Sequence, residues 1–414
     1  MTTPYEKSQK TEKTSPSLKL RTAGFIFGIL TKGARLIIEC ERCNRALNYG
    51  DEGANQHFVM VIQEPDVMWS ILMNPDPGLG ELFMEGKWWL KEGDIGQFMI
   101  LLASGRDRLF GGPFGKILSV LLSKHPDPAE YDHSVENSYG QIQHHYDIGN
   151  ELYALFLDEG MNYSCAFFKN PKQTLRDAQL NKIQTSVERL NIEPGMSVLD
   201  IGCGWGETTR FIALHTEANV YGVTLAETQL ALAKEKIKGM DNQPIYYLSD
   251  YREHAKTHNN FYDRIISIGM FEHVGDQNYH EYFKAIYDQL KPGGQALVHS
   301  IVKAEEPATA RMSSPWLETY IFPGGCLCHV NEMIAEAKTQ GLVLHHEPFI
   351  HESFHYAETL RHWRANFLEN MKKLDRKKYD QRFINMWIYY LAMCEGMFEG
   401  CGYRVAQILL RKPK

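Results

Sequence analysis

Apolar and polar positions change rhythm partway along the chain. Before about residue 124 they form short strand-like runs, Ala34–Glu39 and His57–Ile62, followed by a helical stretch at Pro65–Met73. The peptide Gly78–Trp89 then sets large apolar side chains among glycines. A turn-rich stretch, His125–Tyr131 with Pro126 and Pro128, marks a boundary. Beyond it, apolar strands alternate with helices. Strands are predicted at Met196–Ile201, Asn219–Thr224, Pro244–Leu248, Asp263–Ile268 and Gln295–Val302. Helices are predicted at Trp205–His215, Ala226–Lys238 and Gln277–Leu290, the last stopping at Lys291-Pro292-Gly293-Gly294. That alternation is the mark of a parallel α/β sheet. Leu342–Glu347 and Arg404–Leu410 alternate and are expected to close the sheet as a hairpin pair. Amphipathic helices are expected between them, at His355–Lys372 and Lys378–Phe398.

Composition narrows the class. With 43% hydrophobic and 23% charged residues, the 414-residue chain can bury a core. A formal charge of −7 and the lack of basic stripes argue against a nucleic-acid partner. The apolar runs Ala23–Leu30, Phe98–Ala103 and Ile117–Leu122 fall short of the ~18–20 residues a spanning helix needs. The polar first 17 residues carry no apolar signal segment and read as a flexible tail. A cytoplasmic protein is therefore expected. Cys40-x-x-Cys43 and Cys326-x-Cys328 lack the repeated spacing of a zinc site, so no metal is expected.

Chemistry enters with Asp200-Ile201-Gly202-Cys203-Gly204-Trp205-Gly206, which follows a strand and opens a helix. Its glycines permit a tight turn and let a ligand press on the backbone. The spacing is not the dinucleotide fingerprint. It resembles the first motif of S-adenosylmethionine-dependent methyltransferases, in which the loop holds the amino-acid end of the cofactor and the acid meets its ammonium. The second strand ends Gly222-Val223-Thr224-Leu225 without the usual ribose-binding acid, leaving Gln229 to supply those hydrogen bonds. After the third strand, Asp250 is placed to accept from the adenine amino group and Tyr251 to stack on the ring, with Arg252 beside them.

Five further peptides carry a closer likeness: Gln143–Asp147, Asn162–Phe168 (with Tyr163-Ser164-Cys165), Gly269–Gly275, His299-Ser300-Ile301 and Tyr320–Leu327. With the glycine loop they closely resemble the cyclopropane-fatty-acyl-phospholipid synthases over roughly residues 130–412. The resemblance implies a Rossmann-like, seven-stranded class I methyltransferase domain (130–414), a smaller N-terminal α+β lipid-associated domain (18–125) and a tail (1–17). It implies transfer of a methylene from S-adenosylmethionine to the cis double bond of an unsaturated phospholipid acyl chain. It implies bound bicarbonate as the base, held by the backbone N–H groups of Cys165 and Ile301 and the side chains of His299 and Tyr356, with Glu272 accepting its proton. It further implies a bacterial homodimer lying peripherally on the inner membrane. Departures from the family pattern at Val302, Cys328-His329 and Glu207 bear on pocket shape.

Membrane contacts are expected at Gly78–Trp89, at Ile117–Leu122 with Lys116 and Lys124, and at the basic residues Lys372, Lys373, Arg376, Lys377, Lys378 and Arg382. The competing readings are a small-molecule N-methyltransferase, a silent lipid-binding protein and a lipid methyltransferase giving a methyl branch.

Overall fold

The computed structural model describes residues 18–110, 148–303 and 314–414. The tail, the Ile117–Leu122 run, the predicted boundary and the Gln143–Asp147 peptide lie outside the described residues. Two compact units form.

The first unit holds the described residues up to 110 together with Asp375–Gly396. Its sheet runs in the order β2 (Arg45–Gly50), β1 (Arg35–Cys40), β3 (His57–Ile62), β4 (Trp88–Glu92). Along β1, Leu36, Ile38 and Cys40 alternate inward, as a half-buried strand requires. Phe58, Phe98, Phe83 and Trp88 pack as tilted rings with centroids 4.9–6.2 Å apart. Phe83, Met84 and Trp88 of the glycine-rich peptide are thus core residues, a correction to their expected membrane role. The domain boundary also needs correcting. The helix Gln381–Glu395, expected in the second domain, packs in the first unit against helices Pro75–Met84 and Ile95–Phe110. Its Asn385 Nδ2 donates to the carbonyls of Phe83 (3.3 Å) and Met84 (3.2 Å). An amphipathic pattern announces that a helix buries a face but not which body receives it.

The second unit holds the described residues from 148 to Leu374 and Met397–Lys414. Its strands are β5 (Ser197–Ile201), β6 (Asn219–Thr224), β7 (Ile245–Leu248), β8 (Tyr262–Ile268), β9 (Leu290–Val302), β10 (Val343–Leu344), β11 (Phe349–His351) and β12 (Arg404–Arg411). The order is β10-β12-β9-β8-β5-β6-β7, with β11 also paired to β12. The first five strands are mutually parallel, and β12 runs antiparallel to β9. This is the expected Rossmann-like methyltransferase sheet, with eight strands rather than the expected seven because β10 and β11 both pair with β12. Its central strands are apolar on both faces because helices cover both. β9 begins five residues earlier than predicted, since Leu290 already pairs with Tyr262 across the Lys291–Gly294 stretch. Among the described residues, no helix is long and apolar enough to cross a membrane.

Candidate active site

A cavity opens at the carboxyl ends of β5, β6 and β8, where parallel α/β sheets build their sites. It holds about 970 Å³ of empty space including its mouth. Of the residues expected to bind a cofactor, Tyr163, Ser164, Asp200, Gly202, Cys203, Gly204, Trp205, Thr224, Leu225, Gln229 and Tyr251 line it. The chain reverses sharply through Gly202 (φ +80°) and Gly204 (φ +53°). A Cβ on Gly204 would meet only Gln229 Oε1, at 3.9 Å, so this glycine leaves open the space a ligand would fill.

Three expected residues do not line the cavity. Gly206 caps the helix Glu207–Thr216 and packs under the Tyr246 hydroxyl. Asp250 caps the helix Tyr251–Thr257 through the Arg252 N–H, at 2.8 Å. Both its oxygens also accept from the Arg252 guanidinium, at 2.9 and 3.0 Å. Asp250 thus does not line the cavity, and its oxygens are turned to Arg252 and the helix end.

Two buried charges face the cavity. Burial raises the Asp200 carboxyl to about 7, against the pull of Lys182. Lys182, on the helix Leu175–Leu190, donates to Ser164 Oγ at 2.9 Å and Asn162 Oδ1 at 3.4 Å. Burial lowers its amine to about 8, although nearby acids, Asp158 foremost, resist this. Sequence reasoning missed Lys182. The signal was present: Gln179, Lys182 and Ser186 are polar residues at i, i+3 and i+7 on the buried face of an amphipathic helix. Glu207, the departure after the glycine loop, accepts from Arg176 at 2.5 Å and Arg210 at 3.0 Å. Burial alone would raise its carboxyl, but these arginines hold it below the usual range.

Beside the cavity lies a second group. Cys165 and Val405 pack with Phe167, and Ile301 and Tyr356 lie against them. The loop carrying Cys165 is pinned where Thr359 Oγ1 accepts the Ala166 N–H, at 3.0 Å. Burial pushes the Cys165 thiol far above its ordinary range, which makes it a packing group and no thiolate. Glu272 follows β8 in a short 3₁₀ turn, Phe271–His273. Its Oε1 accepts the Ile301 N–H at 2.7 Å, while its buried Oε2 makes no hydrogen bond among the described residues. Burial raises this carboxyl, tempered by the Ile301 N–H and by Ser300, whose hydroxyl itself donates to the Ile301 carbonyl at 3.3 Å.

His299 is buried in β9 opposite Gln407 of β12. Gln407 Oε1 accepts from Arg189, a group that only donates, so Gln407 Nε2 is the amide nitrogen. That nitrogen donates to Ser186 Oγ at 3.0 Å and to His299 Nδ1 at 3.1 Å. His299 Nδ1 is therefore an acceptor, and the ring proton sits on Nε2. Burial, with Lys182, His351 and Arg189 nearby, pushes the imidazole well below its ordinary range and keeps it neutral. The Arg189–Gln407 pair that fixes this tautomer was not visible in sequence, because the contact spans 218 positions.

Aromatic rings surround the Tyr163 edge of the cavity. Tyr153 and Trp363 each lie 5.2 Å from Tyr163, Phe156 lies at 6.1 Å, and Trp205 packs on Tyr153 at 5.0 Å.

Comparison with known proteins follows the same lines. The family model described as mycolic acid cyclopropane synthetase matches residues 133–408. The chain is 33% identical over 356 residues to cyclopropane-fatty-acyl-phospholipid synthase of Escherichia coli (strain K12), spanning 85% of this chain and 87% of that one. It is 32% identical over 372 residues to a probable fatty acid methyltransferase of Pseudomonas putida, 88% of this chain and 90% of that one. The crystal structure of mycolic acid cyclopropane synthase CmaA1 complexed with SAH and CTAB superposes with a TM-score of 0.60 at 28% identity, covering 66% of this chain and 98% of that one.

Proposed function

The chain belongs to the mycolic acid cyclopropane synthetase family of S-adenosylmethionine-dependent methyltransferases, and from that premise we propose that it adds a methylene to the cis double bond of unsaturated phospholipid acyl chains, closing a cyclopropane ring with bound bicarbonate as base. What supports the reading most is the assembly, beside the cavity, of Glu272, His299, Ile301, Cys165 and Tyr356 from separate stretches of sequence.

The cavity fits the cofactor. Asp200 suits the ammonium of the amino-acid end, Gln229 the ribose hydroxyls, and the buried ring of Tyr251 the adenine. When bound, S-adenosylmethionine supplies an electrophilic methyl group. The residues around it must then protect a cationic acyl chain and remove one proton from the new methyl. The rings of Tyr163 and Trp205, backed by the buried Tyr153, Phe156 and Trp363, offer an apolar, water-excluding wall for that task.

The second group fits a small oxyanion. Among the described residues, the buried Glu272 Oε2 has no partner and the Cys165 N–H no acceptor, and His299 carries its proton on Nε2. The Ile301 N–H, expected to bind the ion, donates to Glu272 instead. Bicarbonate held there would supply the base, and Glu272 would orient its hydroxyl and accept its proton.

To reach an acyl chain, the protein works at a membrane surface, as a peripheral enzyme and homodimer on its cytoplasmic side. The exposed side chains of Lys372, Lys373, Arg376, Lys377, Lys378 and Arg382 supply positive charge for anionic lipid.

A methyl-branched product is the second reading, favoured by the similar proteins named fatty acid methyltransferase. The test incubates the purified chain with S-adenosylmethionine and vesicles of unsaturated phospholipid, followed by mass spectrometry of the acyl chains. The proposal expects a gain of CH₂ that hydrogenation leaves unchanged. A gain of CH₂ that takes up hydrogen indicates the unsaturated methylated precursor of the branch, because the mixture holds no hydride donor to reduce the cation. Unaltered lipid alongside methylation of added amines overturns both in favour of an N-methyltransferase.

A further inference from the structure

The cavity contains a cation that the proposed chemistry has not used for anything specific. Lys182 is fully buried, and its neighbours within hydrogen-bond reach are neutral: Ser164 Oγ at 2.9 Å and Asn162 Oδ1 at 3.4 Å. Among the described residues it makes no salt bridge, with Asp200 or with any other acid. A lysine ammonium has three donors, and at least one remains uncommitted. Glu207, the other acid lining the cavity, is already paired with Arg176 and Arg210.

Asp200 is the complementary case. It is buried, lines the same cavity and makes no salt bridge among the described residues. A buried ammonium and a buried carboxyl thus face one space without pairing with each other. Burying such charges unpaired is costly unless a ligand completes them. The ligand that completes both carries one negative and one positive group close together, as an α-amino acid does.

We propose that Lys182 receives the α-carboxylate of the methionine portion of the cofactor, with Ser164 Oγ beside it, while Asp200 takes the ammonium. This rests on the reading of the cavity as the S-adenosylmethionine site. The carboxylate replaces the missing counter-charge, and the Lys182–Ser164 hydrogen bond sets the spacing of the two donors. Lys182 touches ligand directly and belongs to the binding machinery.

The test compares two ligands in calorimetric titration. S-adenosylhomocysteine carries the amino-acid end; 5′-methylthioadenosine lacks it. Lys182→Met keeps the length and apolar stem of the side chain. Its affinity for S-adenosylhomocysteine should fall about ten- to a hundredfold, the range of a charge-assisted hydrogen bond. Its affinity for 5′-methylthioadenosine should equal that of the wild type, and Lys182→Arg should recover much of the loss. Equal losses for both ligands would overturn the proposal, since Lys182 would then only hold the Asn162–Ser164 loop. Unchanged affinity for S-adenosylhomocysteine would overturn it too. Should Lys182→Met fail to fold, decarboxylated S-adenosylhomocysteine titrated into the wild type gives the same answer: weaker binding by a similar factor supports the contact, and equal binding overturns it. A wild type that binds neither S-adenosylhomocysteine nor 5′-methylthioadenosine sinks the cofactor reading itself, an outcome distinct from the failure of the lysine.

Discussion

Single residues in the cavity make measurable claims. Gly204 has a positive φ, and a Cβ there points into open cavity space. Gly204→Val should lose S-adenosylhomocysteine binding in calorimetry, because the isopropyl group both occupies the ligand's space and strains the left-handed turn, with an unchanged circular dichroism spectrum as the check that it folds. Wild-type affinity would remove the loop from the site. Asp200 makes a pH claim. Its folded value of about 7 stands above the ordinary 3.8. A carboxyl raised on folding contributes stability at low pH and loses it as pH climbs from about 4 to about 7. The cofactor's ammonium needs the ionised form. Binding of S-adenosylhomocysteine should therefore weaken below about pH 7, approaching about tenfold per unit, and Asp200→Asn should flatten that dependence. The glycine loop was legible in sequence as a compact peptide between a strand and a helix, whereas Glu272 and His299 were expected only through the short peptides that carry the family resemblance. Lys182 was not, since a lysine on a helix is usually a solvated one; only its place on the buried face set it apart. The same limit explains Asp250, whose position after a strand suggested a ligand contact while its own neighbour, Arg252, occupies both oxygens.

At the scale of elements, the β9–β12 pair is the decisive contact. Its register sets Gln407 opposite His299, and the amide holds the imidazole proton on Nε2. Gln407→Glu replaces the donor with an acceptor, so the proton should move to Nδ1 and the Nε2 donor should vanish. Turnover should fall by about 10²-fold, within the range of acid–base effects, with S-adenosylhomocysteine affinity unchanged. Nitrogen-15 spectra of the histidine side chains should report the tautomer change; an unaltered His299 signal would refute the assignment. Strands β5 to β8 were foreseen nearly to the residue because short apolar runs between turn signals have few other uses. The start of β9 was misjudged because Lys291-Pro292-Gly293-Gly294 reads as a terminator, whereas it is a bulge in the pairing with β8 that bonds to Lys412 instead. The helix Gln381–Glu395 was foreseen as a helix but assigned to the wrong unit, since periodicity records a buried face and no partner.

Across the whole molecule, the proposed function would have the chain bring a net charge of −7 to a lipid surface, so that local positive charge would do the docking. Replacing Lys372, Lys373, Arg376 and Lys377 with Ala should reduce co-sedimentation with anionic vesicles, and the difference should shrink as salt screens the contact. Binding unchanged at low salt would shift the docking surface elsewhere. The account as a whole turns on a base assembled beside a methyl donor, and Glu272 is the residue on which that assembly depends. Glu272→Gln preserves shape and the acceptor for the Ile301 N–H but removes the carboxylate. The direct measurement is turnover on unsaturated phospholipid vesicles, for wild type and Glu272→Gln, in degassed buffer with and without added bicarbonate. The account predicts a fall of about 10²–10⁴-fold for the variant, unchanged cofactor affinity, and wild-type turnover that rises with bicarbonate. A variant running near wild-type speed, or a wild type indifferent to bicarbonate after exhaustive degassing, would contradict it.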